Sequence, residues 1–148
     1  MSRYTTGKTG GGVGFKVAKP ICRVIADNQI NIANYGGKNT LNFSVNNYDT
    51  SNKKSETAMN YNIVIKVNQA NAPLNYRLYR IYNDSSETEV AIDVNNGEIR
   101  TTSPVQIQAT NSETHNYRLE VDYDNSSSVN LAENIKISIN VLSEQISI

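Results

Sequence analysis

Cysteine and histidine occur once each in the 148 residues, tryptophan is absent, and there are only two phenylalanines and three prolines. The single Cys22 excludes an intrachain disulfide, and its place in the apolar run Ile21-Cys22-Arg23-Val24-Ile25-Ala26 reads as a strand residue rather than a reactive thiol. With one histidine and one cysteine, neither a zinc tetrad nor a Ser-His-Asp arrangement has a supporting constellation. No stretch approaches the 18 apolar residues of a membrane-spanning helix, and hydrophobic residues make up a low 38% of the chain. Residues 1–19 have scattered charges and no apolar core, so they do not read as a signal peptide. The expectation is therefore a chain that bypasses the general export pathway, or the processed form of one that uses it.

A further absence organises the rest. The first 26 residues hold five basic side chains (Arg3, Lys8, Lys16, Lys19 and Arg23) and no acidic one, and they contain five of the eight glycines. From Asp27 onward the balance reverses, with nine basic against fourteen acidic residues. A segment of +5 thus precedes a stretch of −5, and together they give the net charge of zero. Charge separated in this way suits an assembly subunit whose arm complements the body of a neighbour. The division expected is a flexible, basic, Gly-rich arm over residues 1–19, with Arg3, Tyr4, Lys8, Lys16 and Lys19 as its assembly residues, followed by a β-sandwich domain over 20–148. Zero overall charge argues against a dedicated nucleic-acid binder.

The body carries most of the 22 asparagines and nine tyrosines, a composition that favours turns and exposed strand faces. Its apolar residues recur with period 2. Leu41, Phe43 and Val45 alternate with Asn42, Ser44 and Asn46, while Met59, Tyr61, Ile63, Ile65 and Val67 form a longer series. Further series are Tyr76-Leu78, Val90-Ile92-Val94, Val105-Ile107-Ala109, Tyr117-Leu119-Val121-Tyr123 and Ile135-Ile137-Ile139-Val141. With 21–26 and a short piece at 30–32 they amount to about nine strands, each half-buried. The fold class expected is all-β: an Ig-like or jelly-roll sandwich with an extended N-terminal arm. Asn95-Asn96-Gly97 reads as a tight hairpin turn. Asn34-Tyr35-Gly36-Gly37, Asn83-Asp84-Ser85-Ser86 and Asp124-Asn125-Ser126-Ser127-Ser128 read as connectors, Pro73 and Pro104 as strand-edge residues, and 131–134 as the one helical turn.

No catalytic, cofactor-binding or metal-binding residue is assigned. His115, in Asn111-Ser112-Glu113-Thr114-His115-Asn116, reads as a loop residue or one where a strand begins. The pairs Asp122 with Asp124 and Glu87 with Glu89 share strand faces and read as solvated carboxylates. The turn from Asp93 to Glu98 lacks the spaced ligands of a calcium loop, and Gly10-Gly11-Gly12-Val13-Gly14 lacks the Lys-Ser/Thr of a phosphate loop. Tripeptides of the glycosylation type, such as Asn42-Phe43-Ser44, follow from so much Asn and Ser. The candidate interface is Tyr76, Arg77, Tyr79, Arg80 and Tyr82, because Tyr and Arg anchor protein contacts. In a strand, Tyr76 and Tyr82 share a face with Leu78 and Arg80, and Tyr79 shares the other with Arg77 and Ile81.

Two stretches carry a resemblance. Arg3-Tyr4-Thr5-Thr6 with Lys16-Val17-Ala18-Lys19-Pro20 resembles the start of the mature region in small clostridial surface proteins of the camelysin and TasA-like exported β-sandwich group. Asn42-Phe43-Ser44-Val45-Asn46-Asn47-Tyr48, Ser55-Glu56-Thr57, Tyr61-Asn62-Ile63 and Ala72-Pro73-Leu74-Asn75-Tyr76-Arg77-Leu78-Tyr79 are similar to their core. The resemblance implies a sandwich, no catalysis and, in some members, fibres in which an N-terminal segment passes to the next subunit. Members of that group carry a hydrophobic signal or anchor before the Arg-Tyr-Thr segment, where this chain has Met1-Ser2. The expectation is therefore a bacteriophage virion subunit, a capsid decoration protein whose partner is a major capsid protein. The alternative, for a trimmed mature chain, is a secreted filament or matrix subunit at the cell surface, whose partners are copies of itself.

Overall fold

The computed structural model describes residues 20–26, 38–68, 74–123 and 136–146. The arm over 1–19, the piece at 30–32, the turn at 34–37, Pro73, the connector at 124–128 and the helical turn at 131–134 lie outside the described residues.

Among the described residues, ten strands form two antiparallel sheets. They are β1 (Arg23–Ala26), β2 (Lys38–Asn46), β3 (Met59–Val67), β4 (Leu74–Ile81), β5 (Glu87–Val90), β6 (Ile92–Asn95), β7 (Glu98–Thr101), β8 (Val105–Ile107), β9 (Thr114–Tyr123) and β10 (Ile137–Gln145). The first sheet runs β1-β2-β9-β4-β5. The second runs β10-β3-β7-β6, with β8 also paired to β3. The chain is all-β, as its period of 2 requires.

That period also sets which faces meet. Leu41, Phe43, Val45, Leu78, Tyr117, Leu119 and Val121 point from the first sheet into one core with Met59, Tyr61, Ile63, Ile65, Val67, Ile99, Ile107 and Ile137 from the second. None of these fifteen side chains is more than 8% exposed. Register places Leu119 opposite Leu41 on one side and opposite Leu78 on the other, so the middle of the first sheet is a row of three leucines. The two inner faces bury each other, which makes the architecture a sandwich.

Two strands were not separable by pattern. The expected strand over Val90-Ile92-Val94 is in fact two: β5 pairs with β4 in the first sheet, and after Ala91 the chain joins the second sheet as β6. Apolar residues continue at every second position through this corner, so alternation alone does not mark the crossing. β7 brings only one buried apolar residue, Ile99, and its other buried side chain is Thr101. Thr101 has a structural task. β3 pairs with β7 at 64–66 and with β8 at 59–61. In the gap between, Ile63 N–H donates to Thr101 Oγ1 at 3.0 Å, and Asn62 Nδ2 donates to the Thr101 carbonyl at 3.1 Å.

The turns follow their chemistry. Asn96 (φ 49°) and Gly97 (φ 77°) are both left-handed, as the two-residue turn joining β6 to β7 requires. Between β4 and β5, Ser85 (φ 69°) is also left-handed, and Asp84 Oδ1 accepts from the Ser86 N–H at 2.9 Å and its hydroxyl at 2.6 Å.

Candidate functional site

The five Tyr and Arg residues proposed from sequence fall into three settings along β4 and its turn. Arg77 and Tyr79 lie on the outer face of the first sheet. Tyr76 packs half-buried against the core beside Leu78, which is fully buried. Arg80 and Tyr82 reach the end of the sandwich, where the Arg80 guanidinium carbon lies 4.8 Å from the centre of the Tyr82 ring. The face assignments predicted by alternation hold for Tyr76 with Leu78 and for Tyr79 with Arg77.

The outer face is organised by Arg118, which sequence reading did not single out. Arg118 of β9 lies opposite Tyr79 in register, and its guanidinium carbon sits 4.8 Å from the centre of that ring. The same guanidinium grips Glu87 of β5 with two bonds, of 2.5 and 2.7 Å, and reaches Glu120 at 3.1 Å. Planar two-point pairing of this kind is where arginine outperforms lysine. It holds the Glu87 carboxyl below its ordinary range. Glu87 is exposed, as read from sequence, and it is also paired, with a partner 31 positions away on a strand that only the fold brings near.

Behind the sandwich end is a buried polar chain linking the two sheets. Tyr61 Oη of β3 lies 2.6 Å from Tyr117 Oη and 2.8 Å from His115 Nδ1, both on β9. His115 begins a strand as expected, being the second residue of β9, but it is only 6% exposed. Its Nε2 faces Glu113 Oε1 at 3.6 Å. The other Glu113 oxygen accepts the Gln108 N–H at 2.8 Å. Asn47, fully buried, binds the same loop. Its amide donates to the carbonyls of Gln108 (2.6 Å) and Asn111 (2.9 Å), and its oxygen accepts the Glu113 N–H at 2.7 Å.

Desolvation, followed by the positive charge of Arg80, holds the His115 imidazole below its usual pKa. The nearby Glu113 opposes this without reversing it. The folded chain therefore binds fewer protons at this site than the unfolded chain below about pH 6.5. The stability that His115 contributes is complete above that pH and is lost as pH falls towards the folded pKa. Melting temperature should drop between pH 7 and pH 5, and His115→Gln should flatten that part of the profile. An unchanged slope in the variant would assign the drop to other groups.

A larger groove of about 730 Å³ lies beside β10, lined by residues including Pro20, Cys22, Met59 and Leu142. Burial raises the Cys22 thiol to about 11 against a smaller opposing effect of its bond to Ser143. Because the thiolate is the nucleophile, alkylation of Cys22 at pH 8 should be on the order of a hundredfold slower in the folded chain than in the unfolded one. Equal rates would show that the thiol is not held in this environment. Among the described residues there is no group of three or more His, Cys, Asp or Glu side chains that could hold a metal ion. Comparison with protein-family models, curated proteins and solved structures finds no match to this chain.

Proposed function

We propose that this chain is a non-enzymatic structural subunit of a bacteriophage particle, a decoration protein that docks on the capsid shell through its N-terminal arm. The observation that carries this reading is the charge partition: no acidic residue in the first 26 positions, against nine basic and fourteen acidic residues in the remainder. An arm with Arg3, Lys8, Lys16 and Lys19, punctuated by glycine, can lie along an acidic protein surface and add backbone pairing to charge complementarity.

The alternative from the camelysin and TasA-like resemblance is a secreted filament that passes its N-terminal segment between subunits. Light scattering on the purified chain separates the two readings. The decoration reading expects monomers of 16.4 kDa, whereas fibres that vanish when residues 1–19 are removed would support the filament.

A further inference from the structure

We propose that the turn between β6 and β7 is a self-modifying site, where the Asn96 side chain cyclises onto the Gly97 amide and becomes an isoaspartyl or aspartyl residue. The site involves neither the arm nor the docking reading. Asn-Gly occurs once in the 148 residues, at Asn96-Gly97. Ring closure brings the backbone nitrogen of the following residue onto the side-chain carbonyl carbon, and a Cβ on that residue obstructs the approach. Glycine has no Cβ, so Asn96 has the least obstructed neighbour of all 22 asparagines.

The fold adds a reason of its own. Asn96 is exposed at the tip of a hairpin whose first strand, β6, lies at the edge of the second sheet. With φ of 49° at Asn96 and 77° at Gly97, the turn is of type I′. In such a turn the second nitrogen points away from the first residue's side chain. Rotating the peptide plane between the two residues converts the turn to type II′ and brings that nitrogen alongside the side-chain carbon. The rotation keeps the positive φ at Asn96 and takes Gly97 to negative φ, which glycine adopts as readily. Nothing among the described residues holds the plane. The Gly97 N–H and the Asn96 carbonyl make no hydrogen bond there, whereas the Gly97 carbonyl, on the next peptide unit, accepts the Val67 N–H at 2.8 Å. Both turn types suit the twist of paired strands, so the pairing of Asn95 with Glu98 survives the rotation.

The chemistry uses only solvent. Hydroxide takes the Gly97 amide proton, the nitrogen bonds to Asn96 Cγ, and the bond from Cγ to the side-chain nitrogen breaks. Ammonia leaves, carrying a proton from water. Water then opens the five-membered imide at either carbonyl, giving an aspartyl or an isoaspartyl residue. One water is consumed and one ammonia released, with no oxidation or reduction. The product carries a new negative charge next to Gly97 and Glu98, and its isoaspartyl form lengthens the main chain of a two-residue turn by one methylene.

The test is incubation of the full chain at pH 8.5, followed by peptide mapping and mass spectrometry. The tryptic peptide 81–100 should gain one mass unit at Asn96, and three in heavy-oxygen water. The gain should be about tenfold or more faster than at any other asparagine, because only Asn96 precedes a residue without a Cβ. The folded chain should react within about tenfold of the urea-unfolded chain, because the reactive turn is one that the hairpin already allows. Asn96→Asp keeps a residue suited to this turn and should remove the gain at position 96. The proposal is overturned if peptide 81–100 gains no mass, if another asparagine reacts first, if the gain persists in Asn96→Asp, or if the folded chain falls outside that tenfold range.

Discussion

Replacing Leu119 with alanine should destabilise the chain by about 3–5 kcal/mol, the range for emptying a buried leucine site in a well-packed core. Leu119 is fully buried at the middle of β9, and its register partners on the two sides are Leu41 and Leu78. All three are held by backbone ladders, so the neighbours cannot close the hole by turning inward. A domain of this size has about 5–15 kcal/mol of stability in total, so the variant should unfold at a markedly lower denaturant concentration with an unchanged slope. Ile25→Ala, on an outward position 43% exposed, is the matched control and should change stability by about 0.5 kcal/mol or less. If the two variants unfold together, β9 is not at the centre of the core.

The second large effect is expected at a polar residue. Asn47→Leu should cost about 3 kcal/mol or more, because it removes three hydrogen bonds and strands their buried partners. The lost bonds are those to Gln108 O, Asn111 O and Glu113 N. They bind the end of β2 to the loop between β8 and β9, across 61 to 66 positions of sequence. Since that loop also places Glu113 against His115, hydrogen exchange at Gln108 and Glu113 should accelerate with the loss of stability. Neighbouring Asn46 provides the contrast. It is also fully buried, but neither side-chain polar atom has a partner, so Asn46→Leu should be far milder than Asn47→Leu. Equal losses at both positions would show that the Asn47 bonds do not hold the loop.

The sandwich was legible because strand period and burial are local. The alternation of Leu41-Phe43-Val45 and of Met59 to Val67 gave the inward positions of β2 and β3 directly, and Asn95-Asn96-Gly97 gave a hairpin. The corner at Ala91 was not legible, because a strand changing sheets keeps its period. Nor was β7, where threonine stands in for an apolar residue and its hydroxyl serves the Ile63 amide. The sites were less legible still. Tyr61 and Tyr117 read as core aromatics, and nothing in their spacing of 56 positions reveals that their hydroxyls meet. Arg118 and Glu87 likewise look like ordinary exposed charges until β4 is placed between β9 and β5. Arg80 did stand out, as one of a Tyr/Arg cluster. Its buried, unpartnered Nε is a property of the folded end of the sandwich alone.

In the proposed function, the N-terminal arm fastens the sandwich to a particle. The most direct measurement is co-sedimentation of the purified chain with phage capsids that present the proposed partner shell protein, next to a chain lacking residues 1–19. The account predicts that the full chain pellets with capsids at a fixed ratio to the major shell protein. The shortened chain should keep its cooperative melting transition and remain in the supernatant. Equal pelleting of both chains, or failure of the full chain to pellet at all, would contradict it.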